Sequence, residues 1–228
     1  GHMEFINDPN FWIGLLQIVW INIILSGDNA VVIALAARSL PPAQQRKAVL
    51  FGSGAAVVLR IVLTIVAVKL MALPFLQIVG GVLLLWIGLQ LFGGDDDEGA
   101  HGKTQGGLMI AVRTILVADL VMSLDNVIAV AAAAQGSMLL LILGLAISIP
   151  LVVFGSTLMI KLMERYPVIV TLGAALIGWV GGETIVHDAV LSDVVTVNPW
   201  LIHAAAVAGA AFVLVVGRWL ARRAQTAS

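Results

Sequence analysis

Asn22-Ile23-Ile24-Leu25-Ser26-Gly27-Asp28-Asn29 and Asp119-Leu120-Val121-Met122-Ser123-Leu124-Asp125-Asn126 are two versions of one motif, 97 residues apart (119 minus 22, 126 minus 29). Each lies inside a long apolar run. The agreement extends further along the chain. Pro74, Gly80, Trp86 and Gly88 recur as Pro167, Gly173, Trp179 and Gly181, at an offset of 93 (167 minus 74). Similarity at a fixed offset marks a duplicated unit, and the drop from 97 to 93 places a shorter connection inside the second copy.

Composition names the solvent. Of 228 residues, 61% are hydrophobic and 11% charged, and the mean hydropathy is +1.07. That is too much apolar surface for water, so the bilayer must take it. Seven apolar stretches reach the roughly 20 residues needed to cross about 30 Å of hydrocarbon. They lie near 12–37, 47–71, 74–93, 108–134, 138–160, 167–187 and 199–220. The expected fold is all-α and polytopic, with seven transmembrane helices. Residues 1–3 read as a tag remnant, and the first span serves as its own insertion signal. Residues 11–93 form one three-helix repeat, 94–107 an acidic cytoplasmic loop, and 108–187 the second repeat. Three spans per repeat is an odd number, so the second copy enters the membrane inverted, a common transporter plan with its site near the midplane. The seventh span, 199–220, falls outside the repeat and is expected to be peripheral.

Charge sets orientation and excludes some functions. Arg38, Arg46, Lys47, Lys103, Lys161, Arg165, Arg218, Arg222 and Arg223 fall on one side if the N-terminus is outside. Glu4, Asp8, Asp188 and Asp193 fall on the other, with Lys69 the only nearby base, so the positive-inside rule predicts an N-out, C-in protein of the cell's inner (plasma) membrane. A net charge of −1 offers nucleic acid no basic face. With no cysteine, thiolate metal sites and Fe–S clusters are excluded. No nucleotide-binding motif accompanies the spans, and no enzymatic activity is expected.

Ionisable groups inside a membrane span are costly and point to function. Asp28, Arg60, Asp119, Asp125 and Glu183 stand out. At 100° per residue, Asp119, Ser123 and Asn126 share one helix face, and Asn22, Ser26 and Asn29 form the same stripe in the other copy. Asp28 and Asp125 lie at the edges of these stripes. Carboxylate, carboxamide and hydroxyl oxygens suit hard or borderline cations: Mg²⁺, Ca²⁺ and Mn²⁺. Gly27 could let the first helix unwind and offer carbonyls. A polar helix–helix seam would explain the asparagines and serines but not three carboxylates; a proton relay would need no metal. Arg60 is expected to pair with Asp28 or Asp125. Glu183 reads either as an interfacial acid or as a relay at the exit. The run Asp95-Asp96-Asp97-Glu98 reads as a solvated loop.

The paired Ser26-Gly27-Asp28-Asn29 and Ser123-Leu124-Asp125-Asn126 segments, with Gly178-Trp179-Val180-Gly181-Gly182-Glu183, resemble the TerC family of integral membrane proteins over residues 11–187. The resemblance implies Mn²⁺ efflux, with Mn²⁺ as the transported ligand ahead of Ca²⁺ or Mg²⁺. Asp28, Asn29, Asp119, Asp125 and Asn126 would be its ligands, supported by Asn22, Ser26, Ser123, Arg60 and Glu183. The chain departs from the family in carrying Asn22, not an acid, opposite Asp119. Expected partners are the lipid bilayer and a divalent metal ion, with a homo-oligomer left open. The alternative function is an accessory protein that delivers metal to exported enzymes or stabilises a translocation complex.

Overall fold

The structure, a computed structural model, describes residues 4–71, 73–93, 105–124 and 137–226. Its long helices are α1 (Pro9–Ala37), α2 (Pro42–Met71), α3 (Leu76–Phe92), α4 (Gln105–Ser123), α5 (Met138–Arg165) and α6 (Val168–Val186). A short α7 (Ser192–Val197) precedes the last long helix, α8 (Trp200–Thr226). No strand occurs among the described residues. Helices suit a bilayer because each satisfies its backbone polar groups within its own chain segment. By length and apolarity, α5, α6, α8 and residues 42–66 of α2 can each cross a membrane, while α3 and the segments Pro9–Ile21 and Gly27–Ala37 of α1 are shorter apolar segments. Five helix ends run three to six residues past the apolar stretches into flanking sequence (9 against 12, 42 against 47, 105 against 108, 165 against 160, 226 against 220), where water can satisfy helix termini.

The second half of α1 is the hub. Every residue from Ala30 to Ala37 is buried, which a helix achieves only when surrounded on all sides. Its alanines let α3, α4, α5 and α6 close around it, and Val31, Val32, Ile33 and Leu35 join Leu84, Ile115, Val121, Val152 and Ile177 in one core. The first half of α1 keeps Trp12, Leu16 and Trp20 exposed.

Several close contacts recur at the sequence offsets of 97 and 93. Ile18 of α1 seats against Gly144 of α5, and Ile115 of α4 seats against Gly52 of α2. Ile115 is the residue 97 positions after Ile18 (115 minus 18), the offset of the polar motif. Further along, Ala30 lies against Gly155, so α1 and α5 run parallel. Between α3 and α6 the contact of Gly88 with Ile177 has its mate in Gly181 with Leu84; the offset of 93 turns one pair into the other, and these helices run antiparallel.

The last helix is tightly docked. Gly178 and Gly182 of α6 meet the backbone of α8 at Gly209 and Ala205, so closely that a Cβ at either glycine would strike a carbonyl. A small-xxx-small face of this kind brings membrane helices into direct backbone contact. Elsewhere on α8, Val207, Val215 and Trp219 are exposed.

One carboxylate fixes the α3–α6 end. Asp188, fully buried, accepts from the backbone N–H of Phe75 (3.1 Å), Ile78 (3.0 Å) and Val190 (3.0 Å). It thereby caps the start of α3 from the far end of α6, where Phe75 enters the helix at φ 64° with no cap of its own. Burial, the largest single influence, pushes the Asp188 carboxyl up; the backbone N–H groups of Val190, Ile78, Phe75 and Gln77 together outweigh it and hold the group below its ordinary value. A depressed carboxylate stabilises the fold above its unfolded pKa and loses that stabilisation as pH falls through the folded one. Asp188→Ala is therefore expected to cost about 1–2 kcal/mol at neutral pH. The gap to wild type should close below about pH 4 in thermal unfolding measured in detergent. A gap that persists to pH 2 would contradict this role.

Candidate ion site

The polar centre lies where the copies meet. Asp119 and Ser123 stand one helical turn apart on α4, both buried, and Arg60 of α2, 5% exposed, reaches them from the other copy. Arg60 Nη2 donates to Asp119 Oδ1 at 2.6 Å, and Arg60 Nε donates to Ser123 Oγ at 3.3 Å. The Ser123 hydroxyl in turn donates to Asp119 Oδ2 at 3.4 Å. The three side chains close a ring. Across from it, Asn29 of α1 is buried and lines a small cavity together with Asp119, Val32, Ile33 and Ile115.

Arg60 thus pairs with Asp119 rather than with Asp28, one of the two partners expected from sequence; the other, Asp125, lies outside the described residues. The reason is register: α2 and α4 run side by side from the Gly52–Ile115 contact, which brings position 60 level with 119–123. The same register explains the missing acid at Asn22. The Gly52–Gly144 match implies an offset of 92 between α2 and α5 (144 minus 52), which places Val152 opposite Arg60 (60 plus 92). One copy has an acid with an arginine beside it; the other has Asn22 and Val152. The two charges go together, as the cost of burying either alone demands.

Of the remaining candidates, Asp28 is half-buried and does not line the Asn29–Asp119 cavity. It lies instead within coulombic range of Glu183 on α6, whose carboxylate accepts from Trp179 Nε1 at 3.0 Å. Helix α1 runs unbroken through Gly27, against the expectation that it could unwind there; the space beside Gly27 is open. In the second copy α4 ends at Ser123, inside the apolar stretch 108–134, and the Leu124 N–H turns back to the Val121 carbonyl at 3.2 Å. Asp125 and Asn126 lie outside the described residues, as do the side chains of Asn22 and Ser26. Among the described residues no three His, Cys, Asp or Glu side chains converge as a metal cluster. Two residues carry roles that sequence reasoning passes over. Arg113, within 108–134, meets the same criterion of a charge inside a span as Arg60 does. Asp188 looks like one more loop acid, and only its contacts reveal a cap.

Comparison with known proteins agrees with this architecture. The integral membrane protein TerC family model matches residues 7–225. The chain belongs to the TerC family. It is 46% identical over 185 residues to the uncharacterized membrane protein YjbE of Bacillus subtilis, covering 81% of this chain and 84% of that one. It is also 29% identical over 199 residues to the UPF0053 inner membrane protein YoaE of Escherichia coli, but spans only 38% of that longer protein. Similarity to YkoY of Bacillus subtilis is 26% over 220 residues, covering 84% of this chain and 65% of that one. No solved structure matches. The chain is a multi-pass integral membrane protein.

The Arg60–Asp119 pair makes a direct prediction. Asp119→Leu alone should destabilise the protein by about 3–5 kcal/mol, because a buried guanidinium loses its counter-charge. Arg60→Met combined with Asp119→Leu should recover most of that loss. Equal melting temperatures for the single and double variants in detergent would show that the pair is not coupled.

Proposed function

We propose that this protein is a transporter that moves divalent cations, Mn²⁺ first, out of the cell through the centre of the bundle. One observation carries the reading: Asn29 of one copy and Asp119 of the other line a common cavity inside an apolar bundle. Matched segments of a duplicated chain meeting in this way is the arrangement from which midplane transport sites are built. The available donors are oxygens, and the absence of cysteine suits Mn²⁺, Mg²⁺ or Ca²⁺ rather than soft metals. The family resemblance directs the choice to Mn²⁺ and to export.

Charge supports one dication. Arg60 balances Asp119, which leaves Asp28 and Asp125 as two negative charges for a 2+ ion. In this reading Asp28 and Asp125 hold the cation with Asn29 and Asn126, and Asp119 joins when the ion displaces Arg60. Glu183, within coulombic range of Asp28, is the next carboxylate toward the Asp188 end. Export proceeds without a catalytic step, with proton exchange on the aspartates as its driving reaction.

Mn²⁺ uptake by liposomes holding the purified protein tests this. Asp28→Asn and Asp125→Asn each keep the shape and delete one charge, and should weaken Mn²⁺ binding about a thousand-fold. Wild-type transport in both variants would refute the site. A wild-type protein that binds Mn²⁺ but moves none would favour the accessory function of metal delivery.

Orientation is tested separately, and the cysteine-free chain makes it simple. With the N-terminus outside, Asp193→Cys should react with an impermeant maleimide on intact cells, and Ser39→Cys only after permeabilisation; both positions are exposed. The reverse pattern would overturn the N-out, C-in arrangement.

A further inference from the structure

A groove runs along the outer surface of the bundle between α3 and α4. Its walls are Leu83, Trp86, Ile87, Ile110 and Val117, and Arg113, Gln90 and Thr114 supply polar groups. Trp86 and Ile110 are each more than half exposed, so this surface faces the surroundings of the bundle. For a multi-pass membrane protein those surroundings are lipid.

Arg113 is the anomaly. It lies inside the apolar stretch and is exposed, and among the described residues it has no hydrogen-bond or ion-pair partner. Arg60, the guanidinium buried in α2, is by contrast engaged by Asp119 and Ser123. A guanidinium at the edge of hydrocarbon needs an anion, and its planar fork suits a phosphate. Position 113 is eight residues below the start of α4 at Gln105 (113 minus 105), about 12 Å along the axis. A side chain at that depth reaches upward to the phosphate layer and lays its methylenes on apolar neighbours.

We propose that this groove binds one anionic phospholipid. Its phosphodiester sits on Arg113, with the Gln90 amide and Thr114 hydroxyl as further donors. One acyl chain lies against Leu83, Trp86, Ile110 and Val117. Two features distinguish the site from ordinary lipid contact: a concave apolar wall and a fixed charge that has no partner among the described residues. The acidic run Asp95–Glu98, in the connection between α3 and α4, is the rival source of an anion.

The test is native mass spectrometry of the purified protein titrated with phosphatidylglycerol, and with phosphatidylcholine as the uncharged comparison. Wild type should retain one phosphatidylglycerol per chain, with at least fivefold preference over phosphatidylcholine. Arg113→Gln should lower retention about tenfold, Arg113→Lys should restore part of it, and Arg222→Gln should leave it unchanged. Ile110→Trp, which fills the groove and leaves the charge, should displace the lipid without a change in melting temperature. Millimolar inorganic phosphate should not compete. Equal retention by wild type and Arg113→Gln would overturn the proposal, as would a lack of preference between the lipids or competition by phosphate. So would retention of phosphatidylglycerol only after Asp95, Asp96 and Asp97 are changed to Asn, which would assign the anion on Arg113 to the loop.

Discussion

A guanidinium and a carboxylate 2.6 Å apart, closed off from water, set the terms for the middle of this bundle. Bringing both charges out of water costs several kcal/mol each, and only close mutual contact with further hydrogen bonds offsets it. Ser123 supplies the further bonds, accepting from Arg60 and donating to Asp119. Because Arg60 belongs to α2 and Asp119 to α4, the pair joins the two copies at their centre. It also fixes the register of these helices, since a slip of one residue would turn each charge toward a different neighbour.

Packing around that pair is made by residues too small to obstruct it. The Ala30–Ala37 segment lets α1 sit inside the bundle, and Gly52 and Gly144 receive Ile115 and Ile18. With the helices held at these contacts, Asn29 faces the cavity shared with Asp119, while the preceding Asp28 does not line it and is within coulombic range of Glu183. Adjacent residues of one motif thus serve two neighbouring environments. In lipid, where burial of apolar surface gives little drive between helices, such close steric fits and polar contacts carry association.

Much was legible from pattern alone. The 97-residue offset that relates the polar motifs also relates the Ile18 and Ile115 contacts, because a duplicated sequence buries its large side chains at duplicated positions. Most apolar stretches predicted helices to within a few residues at their ends, where polar residues remain helical, but α4 ends at Ser123, well inside the stretch 108–134. The site was legible in part. Asp119 and Ser123 fall on one face by helical spacing and are found hydrogen-bonded. Which carboxylate Arg60 meets was not legible, because that depends on how far α2 slides along α4. The cap made by Asp188 spans 113 positions to Phe75, and no local signal announces a contact at that separation.

What this sequence determined by itself is the solvent, the helical class, the duplication and the chemical type of the polar groups, all properties of composition and spacing along one chain. The tertiary structure decided partnership: Arg60 with Asp119, Asn29 with the shared cavity, Asp28 toward Glu183, Asp188 with the start of α3, and α8 bound backbone to backbone on α6. The physical reason is that helical periodicity gives the direction of a side chain from its own axis. The axial shift and rotation between two helices are set by steric fit of residues far apart in the chain, as between Gly52 and Ile115 or Gly182 and Ala205.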